Sequence, residues 1–177
     1  MSCSRPVQQR EPASWPDCRS RQAVCEMKLR EEIVEKWIAR MTEFHPEQPD
    51  ALRAPEPDPF RNPVAYTVRK SLAQLWEQLR GDMDPDAIDS ALDALIRIRA
   101  VQDMPPSEAV GFVIQLRPIL LQLPAGFDLV LLENRIDQLT LAAFDKYMKC
   151  REQIVAARLH EKERLTRISR AAGKAEA

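Results

Sequence analysis

Glycine, cysteine and histidine are all scarce in this sequence of 177 residues. The 4 glycines leave few positions for tight turns or phosphate-binding loops, which favours helices. The 4 cysteines include no Cys-x-x-Cys pair and only 2 histidines are available to join them, so we expect neither a metal site nor a cofactor. The alternative is a redox or metal cluster built from Cys3, Cys18 and Cys25.

Long hydrophobic runs are also missing. No apolar stretch approaches the roughly 20 residues that a membrane-spanning helix needs. The first residues, MSCSRPVQQREP, contain no hydrophobic segment of the signal-peptide type. We therefore expect a cytoplasmic protein with no integral membrane segment, and its length suits a single domain with one hydrophobic core.

The sequence contains no common catalytic or nucleotide-binding motif. A glycine-rich phosphate loop, a Gly-x-Ser-x-Gly motif and a His-Glu-x-x-His motif are all absent, and His45 and His160 lie far apart. The basic C-terminal region, residues 146–177, has nine Lys or Arg against four Asp or Glu. Its acids are interleaved with its bases, and no aromatic residue follows Tyr147. We therefore expect neither an enzyme nor a nucleic-acid-binding protein.

Helical periodicity dominates what is present. Residues 1–26 contain three prolines and few large apolar groups, so we expect a disordered extension, which lies upstream of the true start if translation begins at Met27. A helical domain is expected over residues 27–168, followed by a disordered tail over 169–177. Its first apolar helix face begins just after Met27, and the proline-dense stretch 46–63 connects it to the second helix.

Later helix boundaries are marked by capping residues and prolines. Asn62 is a good N-cap and Pro63 suits the first helical position, while Gly81 is expected to end that helix in a left-handed conformation. Asp84-Pro85 repeats the start signal. A strongly apolar helix is expected from Pro106 to about residue 123, with a kink at Pro118. A last helix runs over 128–168, so the pattern predicts an all-α bundle of about five helices with a long, projecting C-terminal helix.

One polar stretch, RIRAVQDMPPSEAVGF at 97–112, interrupts this pattern. The apolar stripe of its helix continues to Arg99 and Gln102, so both are expected to face the interior, whereas Arg97 follows Asp93 by four on the outer face. A buried arginine needs a partner. The candidate ion-pair partners are the local Asp103, four residues on, and acids that flank the inner stripe of the long last helix: Glu133, Asp137 and Asp145. The alternative is a small anionic ligand bound to Arg99 beside the next helix N-terminus.

Four segments of the chain resemble a known family. They are LREEIVEKWIARM followed by His45-Pro46, DPFRNPV at 58–64, RIRAVQDMPPSEAVGF, and RIDQLTLAAFDKYMKCREQI at 135–154. In this order and at these separations they resemble the N-terminal domain of RsbT co-antagonist proteins of the RsbRD type, over about residues 27–165. The chain departs from the motif at Pro105-Pro106-Ser107, where the family pattern opens with serine, so Ser107 or Asp103 is expected to take over the capping role.

The resemblance implies a helical sensory or regulatory input domain, which in longer relatives precedes a phosphorylatable STAS domain. Here we expect a stand-alone domain without STAS. We predict a non-enzymatic role in stress- or metabolism-linked signalling, exercised through protein contacts. The long last helix favours a homodimer. The alternative, from the context that the resemblance implies for single-domain relatives, is an adaptor or accessory subunit that docks on an electron-transfer or sulfur-metabolism complex.

Overall fold

The computed structural model describes residues 18–43 and 58–175, and the side chains of residues 23–43 and 58–169. That part of the chain contains no strand and six helical segments: α1 Cys18–Glu43, α2 Pro63–Arg80, α3 Pro85–Val101, α4 Pro106–Ile114, α5 Arg117–Leu120 and α6 Leu129–Ala175. The predicted all-α bundle with a long C-terminal helix is confirmed. Cys3, the helix end at His45-Pro46 and most of the proline-dense connector lie outside the described residues.

Helix α1 begins at Cys18, earlier than the start predicted just after Met27. Its apolar face, Ile33, Val34, Trp37, Ile38 and Met41, is buried, whereas Val24 and Met27 are exposed. The described side chains of residues 23–28 are all exposed, so apolar periodicity could not mark this part of α1. Since residues 18–43 contain neither proline nor glycine, nothing in the sequence stops the helix from extending towards its N-terminus.

The starts of α2 and α3 follow the capping residues. The Asn62 side chain accepts a hydrogen bond from the Ala65 N–H at 3.1 Å, with Pro63 in the first turn. The Asp84 side chain does the same for Asp86, ahead of Pro85. The end of α2 corrects one prediction, because Gly81 has a φ of −97° and is not left-handed. A Cβ at Gly81 would lie 3.0 Å from the Glu77 carbonyl oxygen, so the glycine permits a close backbone approach.

Pro118 divides the predicted helix 106–123 into two. Helix α4 ends at Ile114 and α5 begins at Arg117, with a tighter hydrogen bond from the Leu116 N–H to the Val113 carbonyl at 3.1 Å in between. Because proline has no N–H, it cannot continue the bonding pattern to the Ile114 carbonyl. The break also leaves Ile114 and Leu121 exposed, so the strongly apolar stretch predicted here as one helix is not buried at these two residues.

The start of α4 also differs from the prediction. Pro105 occupies the N-cap position, Pro106 begins the helix, and no side chain makes a capping hydrogen bond. Neither Ser107, which is exposed, nor Asp103 takes over the capping role. The Pro105 carbonyl instead accepts from the N–H groups of Glu108 and Ala109, which secures the first turn from the backbone.

Helix α6 packs along α3 and α4, and α2 packs against α3 and α1. The core face of α6 consists of buried side chains at helical spacing: Leu132, Ile136, Leu139, Ala143, Tyr147 and Cys150. Past the half-buried Ile154, every described side chain of α6 from 155 to 169 is exposed. The helix thus leaves the bundle near Ile154 and continues to Ala175, through residues that were predicted to form part of a disordered tail.

Candidate functional site

The corner between α3 and α4 places a buried cation beside a cluster of surface charges. Helix α3 ends at Val101, and Gln102 and Asp103 form a turn in which Asp103 has a left-handed backbone, with φ 56°. The Asp103 N–H donates to the Ala100 carbonyl at 3.3 Å and the Met104 N–H to the Arg99 carbonyl at 3.4 Å. This turn redirects the chain into α4 and so brings α4 against the Arg99 side chain.

Arg99 is 7% exposed and lies between α3 and α4. Its Nη1 donates to the backbone carbonyls of Glu108 at 3.1 Å and Ala109 at 3.4 Å. Its guanidinium carbon lies 4.8 Å from the centre of the Phe112 ring, in a cation–π arrangement. Burial lowers the pKa of Arg99 to about 10, so the side chain still carries its charge at neutral pH.

The predicted ion pair of Arg99 is wrong, because no carboxylate of the described residues lies within ion-pair distance of it. Asp103 pairs with Arg151 and Arg158, and Asp137 pairs with Arg117. Glu133 and Asp145 are exposed on α6. The physical reason is that two helical carbonyls and an aromatic face supply the negative potential that a carboxylate was expected to supply.

Gln102 also departs from its prediction. It is exposed, because α3 ends one residue before it and the chain turns there instead of continuing the buried stripe. Arg97 lies on the outer face as predicted, and its Nε is 2.6 Å from Asp93 Oδ2 on the surface. Burial opposes the ionisation of Asp93, but hydrogen bonds from Arg97 and Lys146 outweigh it and lower the pKa of that carboxyl group.

Helix α6 holds this corner with three side chains. Arg151 Nη1 bonds to an Asp103 carboxylate oxygen and, at 3.3 Å, to the Ala100 carbonyl. Arg158 Nη2 lies 3.1 Å from the other Asp103 oxygen, and the buried Tyr147 hydroxyl donates to the Met104 carbonyl. The hydrogen bonds from Arg151 and Arg158 lower the pKa of Asp103. We call Asp103, Met104, Tyr147, Arg151 and Arg158 the corner clamp.

Trp37 makes contacts with α4 that the sequence patterns did not predict. Its indole Nε1 donates to the Phe112 carbonyl at 2.6 Å, and its ring stacks on Phe112 at 6.2 Å between centroids. The helical partner of the Phe112 carbonyl is displaced at the α4–α5 break, because the Leu116 N–H turns to Val113. Pro118 indicates this only indirectly in the sequence, because its own missing N–H leaves the Ile114 carbonyl without a helical donor, and the break that it causes redirects the Leu116 N–H.

An open cavity of about 250 Å³ lies elsewhere, between the start of α3 and α6. Its walls are mostly apolar: Met83, Pro85, Ile88, Leu92, Leu139 and Ala142. Asp89, which also lines it, pairs with Lys146 at 2.8 Å. The cavity holds no set of convergent polar groups comparable with the corner.

The described residues contain neither a metal-binding cluster nor a membrane-spanning helix. No group of three or more His, Cys, Asp or Glu side chains in them could hold a metal ion. Cys25 is exposed and Cys150 is buried in the α6 core face. None of the helices in these residues is both long enough and apolar enough to cross a bilayer.

Residues 31–162 match the family described as RsbT co-antagonist protein rsbRD N-terminal domain. The matched region runs from α1 into the projecting part of α6 and includes the whole corner clamp. The chain therefore belongs to this family, which is one of regulatory co-antagonist domains.

One curated relative shows how far the similarity extends. The chain is 28% identical over 137 residues to a protein of Archaeoglobus fulgidus described as an uncharacterized protein. That alignment covers 76% of this chain and 85% of the relative. No solved structure matches the chain.

Proposed function

We propose that this protein is a non-enzymatic regulatory input domain of a stress- or metabolism-linked signalling system, and that it acts in the cytoplasm as a homodimer through protein–protein contacts. Membership of a regulatory family supports the general role. The observation that carries the proposal is the corner clamp. The helix that clamps the α3–α4 corner is also the helix that leaves the bundle and offers its exposed half to other molecules.

The clamp makes the corner and α6 dependent on each other. Arg151 and Arg158 lie two turns apart on α6, and both are held by one carboxylate, that of Asp103. Displacement of the Asp103 turn would free both guanidinium groups at the point where α6 leaves the bundle. A local event at the corner would thus change the charge and the position of the exposed helix, which is how regulatory domains couple a site to an output.

A small anionic ligand is the signal that best suits this corner. Arg99 is almost fully buried and bonded to the Glu108 and Ala109 carbonyls, so an anion could reach it only after the packing of α4 on α3 had loosened at this corner. Binding would then favour the open corner, because a ligand shifts an equilibrium by its differential affinity for the two states.

The proposal is tested by co-purification from the organism that encodes the protein, with a tagged chain at its native expression level. Three forms are compared: wild type, Asp103→Ala, which removes the two ion pairs of the corner clamp, and Leu121→Ala, which changes an exposed side chain outside α6. We expect a partner protein with wild type and Leu121→Ala in equal yield, and a clearly altered yield with Asp103→Ala.

Two other outcomes would count against this role. Recovery of the same complex by all three forms would favour the adaptor alternative, in which the chain docks on a larger assembly and the corner transmits nothing. Failure to recover any partner at native expression would contradict a function based on protein contacts. Circular dichroism of the purified variants verifies that Asp103→Ala remains folded, so that an altered yield reports on the corner.

A further inference from the structure

Helix α6 carries a second apolar face that the described part of the bundle leaves uncovered. Its members are exposed large side chains: Leu141, Phe144, Met148, Val155 and Leu159. We call them the outer face of α6. Their separations of three, four and seven residues place them along one side of the helix, away from the core face that includes Ile136, Ala143 and Tyr147. Single exposed apolar residues are ordinary, but a continuous stripe of them marks an interaction surface.

We propose that the outer face binds the outer face of a second copy of this chain, with the two α6 helices antiparallel. This inference rests on the homodimer of the proposed function and specifies its interface and geometry. Leu141 is 67% and Leu159 is 56% exposed, and in this arrangement both become buried at the two ends of the contact.

The positions of the apolar residues suit an antiparallel pair. With the two-fold axis near residue 150, Leu141 of one copy meets Leu159 of the other, and Phe144 meets Val155. Met148 then packs on the aliphatic part of Glu152. The same apolar groups that are exposed in one chain thus cover each other in two, as an isologous contact requires.

Charge decides between the antiparallel and parallel arrangements. Residues 129–145 of α6 hold three acids and one base, whereas residues 146–169 hold seven Lys or Arg and three acids. A parallel pair would place the two basic halves side by side, at a cost in repulsion. An antiparallel pair places the basic half of each helix along the acidic half of the other.

Individual charges beside the outer face fit the same arrangement. Lys149, Glu152 and Lys162 are exposed and make no ion pair with any described residue of their own chain. In the antiparallel pair Lys149 of one copy lies near Glu152 of the other, and Lys162 lies near Asp137, which also pairs with Arg117 of its own chain. Because of the two-fold axis, each of these charge pairs occurs twice in the dimer.

The test is light scattering coupled to size-exclusion chromatography on the full chain, at tens of micromolar. Wild type is expected to have the mass of two chains. Leu141→Glu is expected to raise the dissociation constant by at least about 100-fold, because each copy would bury an unpaired carboxylate. Leu121→Glu, which introduces the same charge at an exposed leucine outside α6, is the matched control and is expected to remain dimeric.

Charge exchange tests the orientation. Lys149→Glu places like charges opposite each other and is expected to weaken the dimer roughly 3- to 10-fold, given the modest strength of exposed pairs. The double variant Lys149→Glu with Glu152→Lys restores opposite charges at the facing positions of the antiparallel pair, so its dissociation constant should return to near the wild-type value. Failure of the double variant to recover would overturn the antiparallel arrangement.

The remaining outcomes separate this inference from the proposed function. A wild-type dimer that Leu141→Glu leaves intact would overturn the outer face as the interface and keep the homodimer. A monomeric wild type at tens of micromolar would overturn both the interface and the homodimer, and the outer face would then be left for a different protein or for residues that the structure does not describe. The regulatory role would still be judged by co-purification.

Discussion

Arg99 is a buried cation stabilised by backbone dipoles and an aromatic ring instead of a carboxylate. Removing a guanidinium from water costs several kcal/mol. The charge-assisted hydrogen bond to the Glu108 carbonyl contributes about 1.5–3 kcal/mol, and the longer bond to Ala109 contributes less. The contact with Phe112 adds about 2 kcal/mol when desolvated. The stabilisation from these contacts is comparable with the cost of desolvating the guanidinium, so Arg99 is not a large net source of stability.

This balance between desolvation and contacts predicts how two substitutions at Arg99 change the free energy of unfolding. Arg99→Met keeps the side-chain volume and removes the buried charge, so the free energy of unfolding should stay within about 1 kcal/mol of wild type or rise. Arg99→Ala leaves a cavity between α3 and α4 and should lower it by about 2–5 kcal/mol. Urea denaturation at pH 7 measures both variants.

Contrary results for Arg99 would each be informative. A loss of about 3–5 kcal/mol in Arg99→Met would mean that an opposite charge had been left unpaired. A rise in the melting temperature of wild type with added phosphate, absent in Arg99→Met, would support the small anionic ligand of the proposed function.

At the scale of elements, α6 supplies donors to the carbonyl ends of its neighbours. Arg135 Nη1 bonds to the Leu79 carbonyl at the end of α2 at 2.7 Å, and Arg151 bonds to the Ala100 carbonyl at the end of α3. Tyr147 bonds to the Met104 carbonyl in the following turn. The last carbonyls of a helix lack intrahelical partners and carry a partial negative charge, so cationic donors there are favourable. The long helix thus secures α2, α3 and the corner at once.

The corner clamp predicts a specific pH dependence. Because the folded-state pKa of Asp103 is lowered, its stabilising contribution is fully present above the unfolded-state pKa of about 3.9. It is lost as the pH falls through the folded-state pKa. Asp103→Asn should therefore be less stable than wild type at pH 6–7, and the difference between them should shrink as the pH falls below about 4.

Urea denaturation from pH 7 down to pH 3 measures that difference. Tyr147→Phe is the matched control, since it removes another contact of the corner clamp but no carboxylate. The difference in free energy of unfolding between Tyr147→Phe and wild type should stay constant with pH. The lowered pKa of Asp93 is common to all three proteins, so its effect cancels in each difference. A constant difference for Asp103→Asn as well would contradict an ionic role of the clamp.

At the scale of the whole molecule, the chain divides into an acidic body and a basic, projecting helix end. Residues 27–145 carry thirteen Lys or Arg against twenty Asp or Glu, and residues 146–169 carry seven against three. This asymmetry gives the molecule a dipole along α6. It favours antiparallel association of two copies and predicts that the association weakens as the salt concentration rises.

Limited proteolysis tests the fate of the projecting half of α6. Trypsin can cleave there after Lys162, Arg164 and Arg167, all of which are exposed in the single chain. Cleavage needs local opening of the helix, which pairing suppresses. Early cleavage at these residues should be several-fold slower at tens of micromolar wild type than at low concentration, as measured by mass spectrometry of the fragments. Leu141→Glu should show no such dependence, and equal rates for wild type at both concentrations would contradict the pairing.

Helix existence and most helix starts follow from the sequence. Asn62 and Asp84 accept hydrogen bonds from N–H groups at a helix start, and the prolines that follow them have no N–H that needs a partner. Neither start therefore depends on the rest of the fold. Apolar spacing likewise defines which side of α6 faces the core. The inward position of Arg99 follows from the same spacing, and Pro118 indicates the break between α4 and α5. These are local properties of the chain, so neighbouring residues are enough to establish them.

Partners across the fold were decided only by tertiary structure. The spacing of α3 places Arg99 inside but cannot say that α4 turns its Glu108 and Ala109 carbonyls towards it, nor that Asp103 binds Arg151 and Arg158 some fifty residues away. Gln102 continues the apolar stripe in the sequence, yet the turn at Asp103 exposes it. The reason is physical: a helix stripe depends on bonds between near neighbours, whereas the partner of a buried charge depends on how separate helices pack and where each one ends.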